Sequence, residues 1–430
     1  MRNIILKCIA VILTSFYFFP FEFKFLPGIN TKMVLAALGL VLCGINISRR
    51  RNAKIEKSFI ILSCWALAIS AISFIATVIN GTTDPSYVTY FMSMWVWLGG
   101  AYFVINVIKT AHDRVDAELV CYYLIVVCVF QCVLAFSMEQ YPPLKRFIDS
   151  FLASEGFMGR VEKRLYGLGA SLDVAGIKFA AVLATIAFLI YYKNGNSKSK
   201  TFLLVMAFCI ISIIGNMIGR TTTIGIILSF LFWIFIPLFS NEIPRIYVKN
   251  LAICLTIMLL IFVPVSVYAY NTNAGIRKNL RFGFEGFFSL VEKGRWETNS
   301  TDILIDHMIV FPDNLKTWII GDGYMANPDT VDRFYTGPSY HGFYKSTDIG
   351  YIRFLFYFGI IGLLVMISYM LTVGQFCMEK CPGYSKLFFL ILMINFLCWF
   401  KVSTDLFVYF ALFLCLRKGE WNSTTEIPSQ

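Results

Sequence analysis

The chain has 430 residues, of which 58% are hydrophobic and only 15% charged, and its mean hydropathy is +0.69. Soluble domains carry close to a quarter of charged residues, so this composition excludes an ordinary soluble protein. The net charge of +11 is spread over short polar breaks and forms no basic low-complexity tract, which argues against a nucleic-acid partner.

Taken in order, apolar stretches long enough to cross a bilayer fall near 4–22, 31–47, 58–79, 87–107, 118–138, 174–192, 201–218, 222–240, 250–270, 348–373, 386–400 and 404–416. The expected fold class is an all-α polytopic membrane protein with about twelve transmembrane helices. Arg2 and Lys7 precede the first apolar run, which lacks a small-residue cleavage site and is expected to stay as a retained span. Three regions follow: spans 1–9 with short loops over 1–270, a large loop over 271–347, and spans 10–12 with a short tail over 348–430.

Basic residues cluster after alternate spans: Arg49, Arg50, Arg51, Lys54 and Lys57; Lys109 and Arg114; Lys193, Lys198 and Lys200; Arg245 and Lys249; Lys380 and Lys386; Arg417 and Lys418. With the N-terminus inside, all of these are cytoplasmic, and the 271–347 loop is outside. All twelve cysteines lie in spans or in the cytoplasmic 377–386 break, which argues against disulfides. Two short outside loops carry basic residues against the trend. One is 139–173, with Lys145, Arg146, Arg160, Lys163 and Arg164; the other is the turn GRTTT, with Arg220. A bound anion is the simplest explanation for cations there; an arginine snorkelling to lipid headgroups is the alternative.

The long loop is too polar to span and too long for a connector. FEGFFSLVEKGRWE and TDILIDHMIVF have helical spacing, broken by Gly294, Pro312 and Gly321, so the loop is expected to be partly helical. No internal repeat is visible, unlike transporters built from duplicated halves.

Arg164 opens RLYGLGAS, whose glycines would let the backbone close around a ligand. Arg220 precedes a threonine run suited to capping the next span, and a helix N-terminus beside a guanidinium suits a phosphate. Arg295 lies in GRWE beside Glu297. The planar fork of arginine engages phosphate oxygens in pairs, so Arg164, Arg220 and Arg295 together could neutralise a diphosphate. Asp348 stands at the membrane edge in STDIGYIRF, placed either to take a proton from a sugar hydroxyl or simply to cap the following helix. Arg353, five residues on, would be rotated by roughly 140° on a helix, so no direct pair with Asp348 is expected. His341 in YHGFYK is the reserve acid or base. The IIGDGY turn reads as structural, and no metal-ligand spacing is present.

The R-x-x-G of the basic outer loop, the arginine turn after the seventh span, G-R-x-E, I-I-G-D-G and S-T-D-I-G-Y-I…F-G-I-I-G together resemble the O-antigen polymerase and ligase superfamily, and in particular the Wzy-type capsular polysaccharide polymerases. The motif-level match covers about 160–225 and 290–365. Ligase-type members carry a His-Asn pair where this chain has Thr347-Asp348, which favours a polymerase. The resemblance implies a GT-C-like architecture and a glycosyltransferase of the bacterial cytoplasmic membrane. It would join undecaprenyl-diphosphate-linked oligosaccharide repeats at the outer face into O-antigen, capsular or exopolysaccharide. It also implies no cofactor, and a flippase and a chain-length regulator as pathway partners. On this basis Asp348 and His341 are the candidate catalytic residues. Arg160, Arg164, Arg220, Arg295 and Glu297 are the candidates for diphosphate and glycan binding, with Trp296, Tyr335, Tyr340, Phe343 and Tyr344 available to stack on sugars. The rivals are an O-antigen ligase or oligosaccharyltransferase with the same donor, and a lipid-linked oligosaccharide flippase.

Overall fold

A computed structural model describes residues 2–49, 56–153, 164–193, 197–239, 243–328 and 342–417. Among these the structure is helical, and the only β pairing is three isolated bridges. In chain order the helices are α1 (Arg2–Phe18), α2 (Thr31–Ser48), α3 (Lys57–Asn80), α4 (Tyr90–His112), α5 (Ala117–Gln140), α6 (Pro142–Phe151), α7 (Leu172–Tyr192), α8 (Lys198–Ile218), α9 (Thr222–Phe239) and α10 (Arg245–Thr272). Then come α11 (Ala274–Gly283), α12 (Glu285–Lys293), α13 (Asn299–Ile303), α14 (Leu315–Ile319), α15 (Gly350–Lys380), α16 (Ser385–Cys398) and α17 (Phe407–Leu414).

Nine of the described helices, α2–α5, α7–α10 and α15, are long and apolar enough to cross a membrane. The other three expected spans are shorter: α1 has 17 residues, α16 has 14 and α17 has 8. At 1.5 Å per residue, α16 and α17 reach about 21 and 12 Å, short of a ~30 Å hydrocarbon core. Every residue of α17 is buried inside the bundle, so it meets protein along its whole length. Irregular backbone is tolerated at such depth when its polar groups find protein partners. The α16–α17 turn meets that condition. Leu406 N–H donates to Asn395 Oδ1 at 2.9 Å, and Trp399 Nε1 donates to the Thr404 carbonyl at 2.7 Å.

The bundle is built around α7, 94% of whose apolar window is buried, so this helix packs against protein rather than lipid. Its run of small residues lets neighbours approach closely: a Cβ added to Gly225 of α9 would lie 2.3 Å from the Ala180 Cα. The opposite case is α10, only 17% buried, which presents Leu259, Leu260 and Val263 outward as a lipid-facing helix would.

Loops that the basic residues assign to the outside meet at one end. Phe23 bridges Leu152, Asn80 Nδ2 donates to the Gly321 carbonyl at 3.0 Å, and Asn273 Nδ2 donates to Gln140 Oε1 at 3.0 Å. Breaks assigned to the cytoplasm meet at the other end, where Lys380 Nζ holds Glu56 at 3.0 Å and Lys386 Nζ donates to the Tyr192 hydroxyl at 2.8 Å. The described part of the long loop is folded. Its helix α12 ends at Gly294, which takes φ +70°, and α13 runs on into a π turn at Leu304–Met308. The amphipathic α6 and the basic α11 were not visible as separate helices in the sequence. The IIGDGY turn packs on α15, where Phe358 and Gly359 break the helix. Gly359 adopts φ +69°, ψ −173°, a combination essentially reserved for glycine, and lies tight against the Ile319 carbonyl.

Candidate functional site

Arg164 and Arg220 converge. Their Cζ atoms lie 4.7 and 4.6 Å from the centre of the same ring, Phe282, at the end of α11. Two cations against one aromatic ring each gain attraction from its quadrupole while repelling one another. Burial lowers the proton affinity of Arg164, and the neighbouring Arg220 lowers it further, with Asp173 opposing. Arg220 also pairs with Glu285 at the start of α12. The local fold explains the convergence. Thr221 Oγ1 donates to the Asp173 carbonyl at 3.2 Å, tying the turn between α8 and α9 to the start of α7. The threonines after Arg220 do not cap α9 as expected. Thr222 Oγ1 donates to the carbonyls of Gly219 (2.8 Å) and Gly215 (3.1 Å), satisfying the end of α8 instead. The glycines after Arg164 also serve the protein's own packing. Gly169, at φ +75°, abuts the Phe19 carbonyl, and Gly167 abuts Gln131.

Arg295 is not part of this pair. Its side chain is 74% exposed, and its Nε donates to Glu297 at 3.1 Å. Glu297 also takes Lys293 Nζ at 3.1 Å, a hydrogen bond that holds its carboxyl below the usual range. Of the three arginines expected to act together, the structure therefore joins two. Arg160, His341, Tyr335 and Tyr340 lie outside the described residues. Trp296 packs on Gly286 and edge-on against Phe287, and the buried Tyr344 donates to Asp322 at 3.1 Å.

Asp348 does not cap α15. The capping position is Ile349, with extended backbone and no side-chain cap bond. Nor is Arg353 turned away: its Nη1 lies 3.8 Å from Asp348 Oδ1. The rotation argument fails because Asp348 precedes the helix, so the angle between successive helical residues does not apply to it. Arg353 also donates to Ser403 Oγ at 2.7 Å and to the Met325 carbonyl at 2.9 Å, and lies 4.3 Å over the Phe343 ring. Burial pushes the Asp348 carboxyl up to about 7, against the attraction of Arg353, with Asp173 pushing the same way as burial and Lys401 opposing. Leu172, Lys345 and Ser346 all adopt left-handed φ of 54–58°, a strained state for such side chains, and they directly precede Asp173 and the Thr347-Asp348 pair.

Asp173 links the two halves. It acts electrostatically on both Arg164 and Asp348, and its Oδ1 lies 3.5 Å from Lys401 Nζ. Sequence reasoning missed Asp173, Phe282, Glu285 and Lys401, and expected no direct pair between Arg353 and Asp348, which the structure shows. One signal was there: Lys401 is a further basic residue in a short outer turn. Beside the α11–α12 elbow, an apolar groove of about 530 Å³ is lined by Val267, Tyr270, Leu280, Phe284, Phe287 and Val291. Phe282 and Phe284 thus serve the arginine pair and the groove from one elbow.

A cationic pair, a half-buried carboxyl and an adjoining apolar groove can bind an amphipathic anion and accept a proton close by. Comparison with protein-family models, with curated proteins and with solved structures finds no match for this chain.

Proposed function

We propose that this protein is a polysaccharide polymerase of the bacterial cytoplasmic membrane, of Wzy type and GT-C-like architecture, with α1, α16 and α17 completing twelve passes. Its donor is a glycan on undecaprenyl diphosphate, and its acceptor is a lipid-linked repeat unit. The acceptor hydroxyl oxygen attacks the anomeric carbon of the donor, and the bond from that carbon to the diphosphate oxygen breaks. The bonding electrons leave with the polyprenyl diphosphate, and the hydroxyl proton passes to the Asp348 carboxylate. Arg164 and Arg220 neutralise the charge developing on the leaving diphosphate. The groove beside Phe284 accepts part of the isoprenoid chain. The flippase and chain-length regulator of such a pathway would be its partners.

The observation that carries this reading is the convergence of Arg164 and Arg220 on Phe282, linked through Asp173 to the half-buried Asp348. The test is reconstitution of the purified protein in lipid with defined polyprenyl-diphosphate-linked repeat units. A ladder of lengthening products is expected. Transfer of a single glycan to a non-polyprenyl acceptor, without a ladder, would identify a ligase. Transbilayer movement without transfer would identify a flippase.

A further inference from the structure

Lys401 sits in the turn between α16 and α17, and several contacts hold that turn against the start of α15. Tyr351 N–H donates to the Trp399 carbonyl at 3.1 Å. Gly350 is packed so closely on Val402 that an added Cβ would lie 2.6 Å from its carbonyl oxygen. Ser403 Oγ takes Arg353 Nη1 at 2.7 Å, and the Tyr87 hydroxyl donates to the Ser403 carbonyl at 3.5 Å. The turn is therefore docked on the backbone of the segment that carries Asp348, and its one lysine faces Asp173 at 3.5 Å. A salt bridge made only for stability would be poorly placed here. Both partners are half-buried, the Lys401 side chain 26% and the Asp173 side chain 19% exposed, and half-buried ions lose much of their attraction to desolvation.

We propose that Lys401, held by Asp173 and by the docked turn, is a positioning residue for the transfer reaction: a second cation, besides Arg353, that keeps the Asp348 carboxyl available as a carboxylate. This rests on the assignment of Asp348 as the proton acceptor. Arg353 from α15 lies 3.8 Å from that carboxyl, and Asp173 from α7 and Lys401 from the α16–α17 turn, paired with each other at 3.5 Å, act on it electrostatically. Lys345, on the same segment as Asp348, is turned to the Tyr344 ring, 5.5 Å from its centre. Arg353 is committed to Ser403 and Met325 as well as to Asp348, so its position is fixed by the fold. Lys401 has a flexible stem and is paired with Asp173, which makes it the adjustable charge of the set.

The experiment is an infrared pH titration of the purified full-length protein, following the carboxylic-acid band that disappears in Asp348→Asn. Lys401→Met removes a cation and leaves Asp173 uncompensated, so the midpoint should rise by about 0.5–1 pH unit, the scale of one charge a short distance away at intermediate dielectric. Asp173→Asn removes a like charge and releases Lys401, so the midpoint should fall, and Lys401→Arg should restore the wild-type value. Loss of packing alone would not move the two variants in opposite directions. Midpoints unmoved in both, or moved the same way, would overturn the proposal. In the host, Lys401→Met should shorten the polymer and Lys401→Arg should recover it. Normal polymer from Asp348→Asn would overturn the assignment on which the proposal rests, whatever the infrared midpoints show.

Discussion

Replacing Asp348 with asparagine separates chemistry from folding, because the structure removes the main structural role for this carboxyl. A capping aspartate would lose roughly 0.5–2 kcal/mol on truncation to alanine and nothing on change to asparagine, but Asp348 makes no cap. The remaining structural cost is its ion pair. Breaking a buried pair can cost ~3–5 kcal/mol when the surviving charge is stranded. Here the pair is long, at 3.8 Å, and Arg353 keeps its bonds to Ser403 and Met325. Asparagine should therefore cost about 1 kcal/mol or less, and thermal unfolding and expression should stay near wild type. Transfer should fall by ~10²–10⁴-fold, because the amide cannot take a proton. The pH dependence supplies the second half of the test. The acceptor must be ionised, its carboxyl is pushed up to about 7, and the active form therefore lies above that pH. The ionised fraction climbs from about one tenth at pH ~6 to about nine tenths at pH ~8, so the wild-type rate should rise roughly tenfold over that range. The assay is ladder formation from defined lipid-linked repeats in reconstituted membranes. Near-normal ladders from Asp348→Asn, or a wild-type rate that is flat across that interval, would refute the reasoning.

Arg164→Lys and Arg220→Lys should each cut polymer formation by about tenfold or more while the protein still accumulates, because lysine keeps the charge but loses the planar fork. Arg295→Lys, at an exposed side chain paired with Glu297, should have little effect in the same polymer assay. Gly359→Ala should weaken docking of the IIGDGY turn on α15 by at least about 1–3 kcal/mol from backbone strain alone, read as a lower unfolding temperature and loss of polymer. A cysteine placed at Ser300, in a background without native cysteines, should react with an impermeant thiol reagent in intact cells. Labelling only after the membrane is opened would invert the topology.

The helical spans, their order and the grouping of their loops were legible in the sequence because each rests on local information: the length of an apolar run and the basic residues at its ends. Arg164, Arg220 and Asp348 stood out as candidates for a related reason, as charges at the edges of bilayer-crossing segments. The shortness of the last two spans was legible too, from the length of their apolar runs. Two things were not legible. The separation of Arg295 from the other two arginines depends on the path of α11 and α12, which brings Phe282 and Glu285 to the turn at Arg220 while leaving Arg295 with Glu297 at the surface. The pairing of Asp348 with Arg353 depends on where α15 begins, which is set by the α16–α17 turn packing against Gly350. A sequence records which charges are present along the chain. Which of them face one another is decided by helix packing, and because electrostatic interactions weaken with distance and with exposure to water, only that packing brought Arg353 to Asp348 and Lys401 to Asp173.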